Sequence, residues 1–147
     1  NPEMILAGRR LNDSMGSYVA GQVSKLMTKK RIHVVGANIL IMGLTFKENC
    51  PDLRNTRIVD LVEEFESFNC NVDVYDPWVD KDEAVREYNI KPIDQPVEGK
   101  YDAILLAVAH DEFKTLSVEQ IKAFSKENHV LYDIKYLLKS NEVDGRL

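Results

Sequence analysis

The run Ile39-Leu40-Ile41-Met42-Gly43-Leu44 is continuous, apolar and only six residues long. A run of that length and character fits a strand buried on both faces, which occurs almost only inside a parallel sheet covered by helices. Comparable runs follow at Val72-Asp73-Val74-Tyr75, Ala103-Ile104-Leu105-Leu106-Ala107-Val108 and Val130-Leu131-Tyr132, and Ile90-Lys91-Pro92-Ile93 reads as a short edge strand. Helical patterns separate them: Arg57 to Phe68, with Ile58, Leu61, Val62 and Phe65 on one face; Lys81 to Tyr88; and Val118 to Ser125, capped by Ser117. Strand and helix alternate, which implies βαβ crossovers and a three-layer α/β/α parallel sheet. At 147 residues the chain has the size of one such domain with a flanking helix. Asp94 to Gly99 reads as a surface loop.

The flanking helix comes first. From Pro2 to about Thr28, Met4, Leu11, Met15, Val19, Val23 and Leu26 recur at spacings of three, four and seven, so one helix face is apolar. Asn1-Pro2-Glu3 supplies a cap, a first-turn proline and an acid, and position 1 is not methionine, so the opening reads as a boundary within a longer chain. Gly8, Gly16, Ala20 and Gly21 weaken intrinsic helicity, which points either to close approach of a backbone or ligand or to ordinary helix packing. An apolar stripe left uncovered by the boundary would seek a partner.

Composition narrows the partners. A net charge of -5, with Lys29-Lys30-Arg31 as the only basic run, offers no footprint for nucleic acid or an anionic membrane. No apolar stretch reaches the roughly 18 residues of a membrane span and no signal peptide precedes the first helix, so a cytoplasmic location is expected. Cys50 and Cys70 lack metal spacing and read as free thiols.

In a doubly wound sheet, ligands sit beyond the carboxyl ends of the strands. The segment after the first strand, Gly43 to Thr56, is dense in polar side chains. Lys47 and Arg54, seven residues apart, stand between a strand end and a helix start. Two readings remain: both cations turn toward a phosphate-bearing ligand, or Asp52 pairs with Arg54 while Asn55 or Thr56 caps the helix. His110 follows the third strand and is read as structural in its turn in preference to a general base. Asp76 and Asp133 also follow strands and read as loop caps. Tyr75 and Trp78 either stack on a base or bury against the next helix.

The elements Gly-Leu-Thr-Phe-Lys-Glu-Asn from Gly43, Pro51-Asp52 and Arg54-Asn55-Thr56 resemble the hallmark of the UDP-glucose/GDP-mannose dehydrogenase family. The resemblance extends to Ala7-Gly8-Arg9-Arg10-Leu11-Asn12-Asp13, Val74-Tyr75-Asp76-Pro77, His110-Asp111-Glu112-Phe113 and Asp133-Ile134-Lys135, nearly the whole chain in family order. It implies a Rossmann-like domain at residues 31–147 that binds a UDP-sugar, preceded at 1–30 by part of a long interdomain and dimerisation helix. It also implies a parent enzyme that oxidises C6 of a UDP-sugar in two NAD-dependent steps through a cysteine thioester, in a homodimer or higher homo-oligomer. The cysteine and the NAD-binding glycine motif would belong to an earlier domain: neither Cys50 nor Cys70 has the expected context, and Gly36 and Gly43 do not supply the motif. This chain by itself is therefore expected to be inactive, with no catalytic residue and no metal. By resemblance Phe46 and Lys47 contact the nucleotide-sugar, Lys135 approaches the UDP moiety as a point charge, and Arg54 reaches across to NAD held by the other domain. The Ala-Gly-Arg-Arg-Leu-Asn-Asp form of the helix motif is most similar to the branch that oxidises UDP-N-acetylhexosamines for surface polysaccharide synthesis. Arg9 and Arg10 face either substrate, a partner subunit or solvent.

A rival class is a non-catalytic nucleotide-binding or assembly domain, such as a receiver-like module. A receiver needs clustered acids near its start and an aspartate ending a central strand, whereas the first strand here runs into Gly-Leu-Thr-Phe-Lys.

Overall fold

The computed structural model describes residues 15–147. Residues 1–14, where the sequence leads one to expect the start of the opening helix with Met4, Gly8, Arg9, Arg10 and Leu11, lie outside the described residues. From there the order is α1 (Met15–Lys29), β1 (Asn38–Met42), α2 (Ile58–Ser67), β2 (Asn71–Tyr75), α3 (Lys81–Tyr88), β3 (Tyr101–Leu106), α4 (Asp111–Lys114), α5 (Val118–Lys122), β4 (Ser125–Asp133), a 3₁₀ turn (Ser140–Glu142) and β5 (Gly145–Arg146). The sheet is parallel at every pairing and runs β2-β1-β3-β4-β5.

Alternation along the strands builds two cores. Ile39 and Ile41 of β1, Ala103 and Leu105 of β3, and Val130 and Tyr132 of β4 meet α1 and α2, through Val19, Val23 and Met27 and through Leu61 and Phe65. Leu40, Met42, Tyr101, Ile104, Leu106 and Leu131 point the other way, onto Phe113 of α4 and Ile121 of α5. Successive residues thus face opposite helical layers, the three-layer arrangement that the continuous apolar runs require.

The apolar stripe of the opening helix is not left bare. Val19, Ala20, Val23 and Met27 are buried in the first core, so the expectation of an exposed stripe fails over the described half, because the domain itself consumes that face. Gly16 shows why the helices fit: a Cβ there would lie 2.9 Å from the backbone of Asp60 and Leu61 in α2. Gly21 has open space instead, with nothing within 4 Å of its would-be Cβ.

Capping explains the helix limits. Asp80 accepts from the Glu83 amide at the start of α3, and Asn89 closes that helix in the left-handed region at φ 56°. Ser117 and Gln120 exchange a capping box at α5. Three readings of the sequence need correction. Ile90 to Ile93 is not a strand: Pro92 has no N–H to give, and the segment makes a single bond of this kind to β2, from the Ile93 amide to the Val74 carbonyl at 2.8 Å. The last helix ends at Lys122, short of Ser125, since Ser125 already pairs with Tyr101. β4 consequently starts five residues before Val130, in the polar stretch Ser125 to His129, where the register with β3 shifts.

Candidate functional site

In this strand order the chain leaves β1 toward β2 on one side and β3 on the other, so a crevice opens beyond the carboxyl ends of β1 and β3. A cleft of about 430 Å³ occupies it. Thr45 and Phe46 line it from the segment after β1, Ala107 and Val108 from the end of β3, Ile134 and Lys135 from the end of β4, and Asn55 to Ile58 from the start of α2; Met15 and Leu147 complete the wall.

The walls follow from local chemistry. Gly43 turns the chain out of β1 at φ 112°, and a Cβ there would meet Val108 Cβ at 2.5 Å, so only glycine lets the β1 and β3 ends approach. The segment then folds back on itself: the Phe46 amide donates to the Asp52 carbonyl at 2.8 Å, and Thr56 Oγ1 donates to the Leu44 carbonyl at 2.6 Å. Thr56 Oγ1 also accepts from the Ile58 amide at 3.2 Å, while the N-cap itself is Arg57, without a side-chain cap bond. The N-terminal turn of α2, where the helix dipole is positive, therefore forms one wall. At the far wall, Asp133 accepts from the Lys135 amide at 3.1 Å and the Leu138 amide at 2.8 Å, and Tyr136 takes φ 59°. This turn places Lys135 on the rim.

Electrostatically the cleft contrasts with the whole chain. Among the described residues its lining includes Arg57 and Lys135 and no aspartate or glutamate side chain, although the chain carries a net charge of -5. Lys135, a helix N-terminus and the Thr45, Asn55 and Thr56 polar groups suit an anion of small-molecule size. Among the described residues no group of three or more His, Cys, Asp or Glu stands where it would hold a metal ion.

Beneath the cleft lies a buried polar knot. Asp76, just after β2, accepts from the Leu44 and Thr45 amides at 2.7 and 3.0 Å, from the Trp78 amide at 2.7 Å and from His110 Nε2 at 2.9 Å. Burial pushes its carboxyl up, but His110 and the three amides together outweigh burial and hold it below the ordinary carboxylate value. Tyr75 packs on Phe113, with ring centroids 5.9 Å apart, and burial raises its hydroxyl. Trp78 stacks over His110 and donates to Glu112. Asp76 and Asp133 accept from the amides of the loops that follow them, and His110 is fully buried in its turn.

Of the four residues singled out for binding, Phe46 and Lys135 meet in the cleft and Lys47 and Arg54 do not. Phe46 is 53% exposed at the rim. Lys47 is exposed near Asp52, to which it contributes favourably. Arg54 is tied to Asp52 through Nε at 3.0 Å and Nη2 at 3.1 Å, with its side chain 84% exposed and outside the cleft lining. That hydrogen-bonded pair holds the Asp52 carboxyl low and the Arg54 guanidinium high. Sequence reasoning missed Arg57 and Thr45; both follow from taking the residues at a strand end and at a helix start as a set. Cys50 and Cys70 are free, and burial raises the Cys70 thiol. No described helix is long and apolar enough to cross a membrane.

Comparison with known proteins converges on one family. The chain is 58% identical over its entire length to UDP-N-acetyl-D-glucosamine 6-dehydrogenase of Pseudomonas aeruginosa and 55% identical over 99% of its length to the Salmonella typhi enzyme of the same name. It spans about a third of those relatives, 35% and 34% of their lengths. Among solved structures, a UDP-D-ManNAc dehydrogenase from Pyrococcus horikoshii superimposes with a TM-score of 0.75 at 28% identity, over 94% of this chain and 31% of that one. Residues 40–140, which contain all four strand ends that build the cleft walls and the polar knot, match the model of the UDP-glucose/GDP-mannose dehydrogenase family, UDP binding domain. The chain belongs to the UDP-glucose/GDP-mannose dehydrogenase family and carries its UDP-binding domain.

Proposed function

We propose that the cleft beyond β1, β3 and β4 receives the diphosphate of a UDP-sugar, and that the whole protein is an NAD-dependent dehydrogenase that oxidises C6 of a UDP-N-acetylhexosamine to the acid. The observation that carries this reading is the cleft lining: Lys135 on the rim, the N-terminal turn of α2 and the Thr45, Asn55 and Thr56 polar groups, in an acidic chain. Lys135 and the first turn of α2 take the phosphate oxygens, with Arg57 at the same wall; Phe46 at the rim faces the uridine or the sugar. Lys47 reaches the sugar from outside the cleft once the other half of the enzyme closes over it.

NAD supplies the hydride acceptor. The turn after β1, with Gly43 as its single glycine before Phe46, is unlike a dinucleotide turn, so the cofactor belongs to a preceding domain and this chain offers it only Arg54. Asp52 holds that guanidinium outward, fit to meet a ligand presented from across an interface. The reacting cysteine likewise lies in the other domain, and this chain alone turns over no substrate. The parent is cytoplasmic and homo-oligomeric, and serves surface polysaccharide synthesis; α1 contributes its outward face, where Tyr18 is 57% exposed.

Calorimetric titration with UDP, UDP-N-acetylglucosamine and NAD tests the reading. Saturable binding of both uridine nucleotides is expected. Lys135→Ala should weaken it by about tenfold, the loss of one charge-assisted contact. Arg54→Ala should leave it unchanged, and NAD should not bind. Equal UDP affinity in the Lys135→Ala chain would place the nucleotide elsewhere.

A further inference from the structure

His110 is fully buried yet lines no part of the cleft, and the proposed chemistry gives it nothing to do. Its contacts are nevertheless specific. Nδ1 accepts the Asn49 amide at 3.0 Å, which only an unprotonated nitrogen does, so the ring proton of the neutral imidazole sits on Nε2. Nε2 lies 2.9 Å from Asp76 Oδ2 and 3.2 Å from Thr45 Oγ1. Thr45 Oγ1 spends its own proton on the Lys47 carbonyl at 3.2 Å, leaving lone pairs for Nε2–H. The Asn49 side chain, at φ 55°, accepts from the Asp111 amide next to His110 at 3.0 Å.

One imidazole therefore grips both ends of the five residues Thr45 to Asn49, which hold Phe46 and Lys47 between them. The Trp78 ring stacks above it and the Phe113 ring meets it edge-on, with centroids at 6.2 and 5.5 Å, so the imidazole is fixed in position. A rigid strand end and an outside loop are joined through a group that does not touch the ligand.

We propose that His110, as the Nε2–H tautomer, is a positioning residue that fixes the Thr45–Asn49 segment for nucleotide binding, a role that rests on the cleft being the UDP site. Structural stability and positioning separate in two variants. His110→Gln offers an amide N–H where Nε2 donates but no acceptor for Asn49; His110→Asn offers an acceptor near Nδ1 but no donor at the far side.

The test combines ¹⁵N long-range correlation of the imidazole, amide exchange and UDP titration on the 147-residue chain and both variants. The unvaried chain should show a protonated Nε2 and an unprotonated Nδ1. His110→Gln should speed Asn49 amide exchange and weaken UDP by about tenfold, the order of one hydrogen bond, with exchange in β1 and β3 unchanged. His110→Asn should restore Asn49 protection and most of the affinity. A protonated Nδ1, unchanged UDP affinity in His110→Gln, or equal loss of protection in the loop and β1 overturns the role. No UDP binding by the unvaried chain overturns the nucleotide reading itself, and the positioning role with it.

Discussion

Gly43 and Asp76 do opposite kinds of work at the same strand ends. Gly43 contributes by having no side chain: at φ 112° with Val108 against it, Gly43→Ala meets both backbone strain and overlap. We expect it to cost about 2–4 kcal/mol, read as a lower urea midpoint by the fluorescence of the single tryptophan, Trp78. Asp76 contributes as a buried charge with four donors. Because its folded pKa is lowered, its stabilisation is complete above the unfolded carboxyl value of about 3.9 and is lost as pH falls from there through the folded value. Unfolding followed between pH 6 and 2 should therefore lose stability below about pH 4. Asp76→Asn should be less stable at neutral pH and show a flatter acid limb; an unchanged limb would mean that other carboxylates dominate. The residues of this knot were visible in the sequence as polar positions after strands. Their joining was not, because Asp76, His110 and Asn49 are brought together only by the order of the strands.

At the level of elements, α1 carries two glycines that the sequence does not tell apart and of which one admits a neighbouring helix. Gly16 admits the α2 backbone, and Gly21 faces open space. Gly16→Ala should destabilise by about 1–3 kcal/mol through forced separation of α1 and α2, whereas Gly21→Ala should stabilise by about 0.5–1 kcal/mol, since alanine favours the helix and meets nothing. Thermal unfolding of the pair checks this, and a loss at Gly21 would indicate that its face is already occupied by another copy. The strands and helices with apolar periodicity were legible: Lys81–Tyr88 agrees to the residue, and β1, β2 and α2 to within two. What escaped lacked such a pattern. The first half of β4 is Ser-Lys-Glu-Asn-His, α4 is a single turn, and β5 is two residues held through Asp144, whose carboxylate accepts from the Leu131 amide and pairs with Lys30.

For the whole molecule, the parallel order β2-β1-β3-β4-β5 makes a binding crevice almost unavoidable, and side chains decide its ligand. Phe46 and Lys135, which family resemblance singles out, line the same cleft, but neither periodicity nor spacing distinguishes Lys47, which stands outside, from Arg57, which lies within. Arg54 and Asp52 pair as the plainer reading of their spacing has it, and that pairing leaves the guanidinium exposed.

The most direct test is a ¹H–¹⁵N map of the chain titrated with UDP. The largest shifts should fall on Thr45, Phe46, Arg57, Ile58, Ala107 and Lys135, around the cleft, with the amides of Arg31 to Ala37 at the opposite end of the sheet unmoved. Shifts concentrated at that opposite end, or spread evenly over the surface, would contradict a nucleotide site at the carboxyl edge of the sheet.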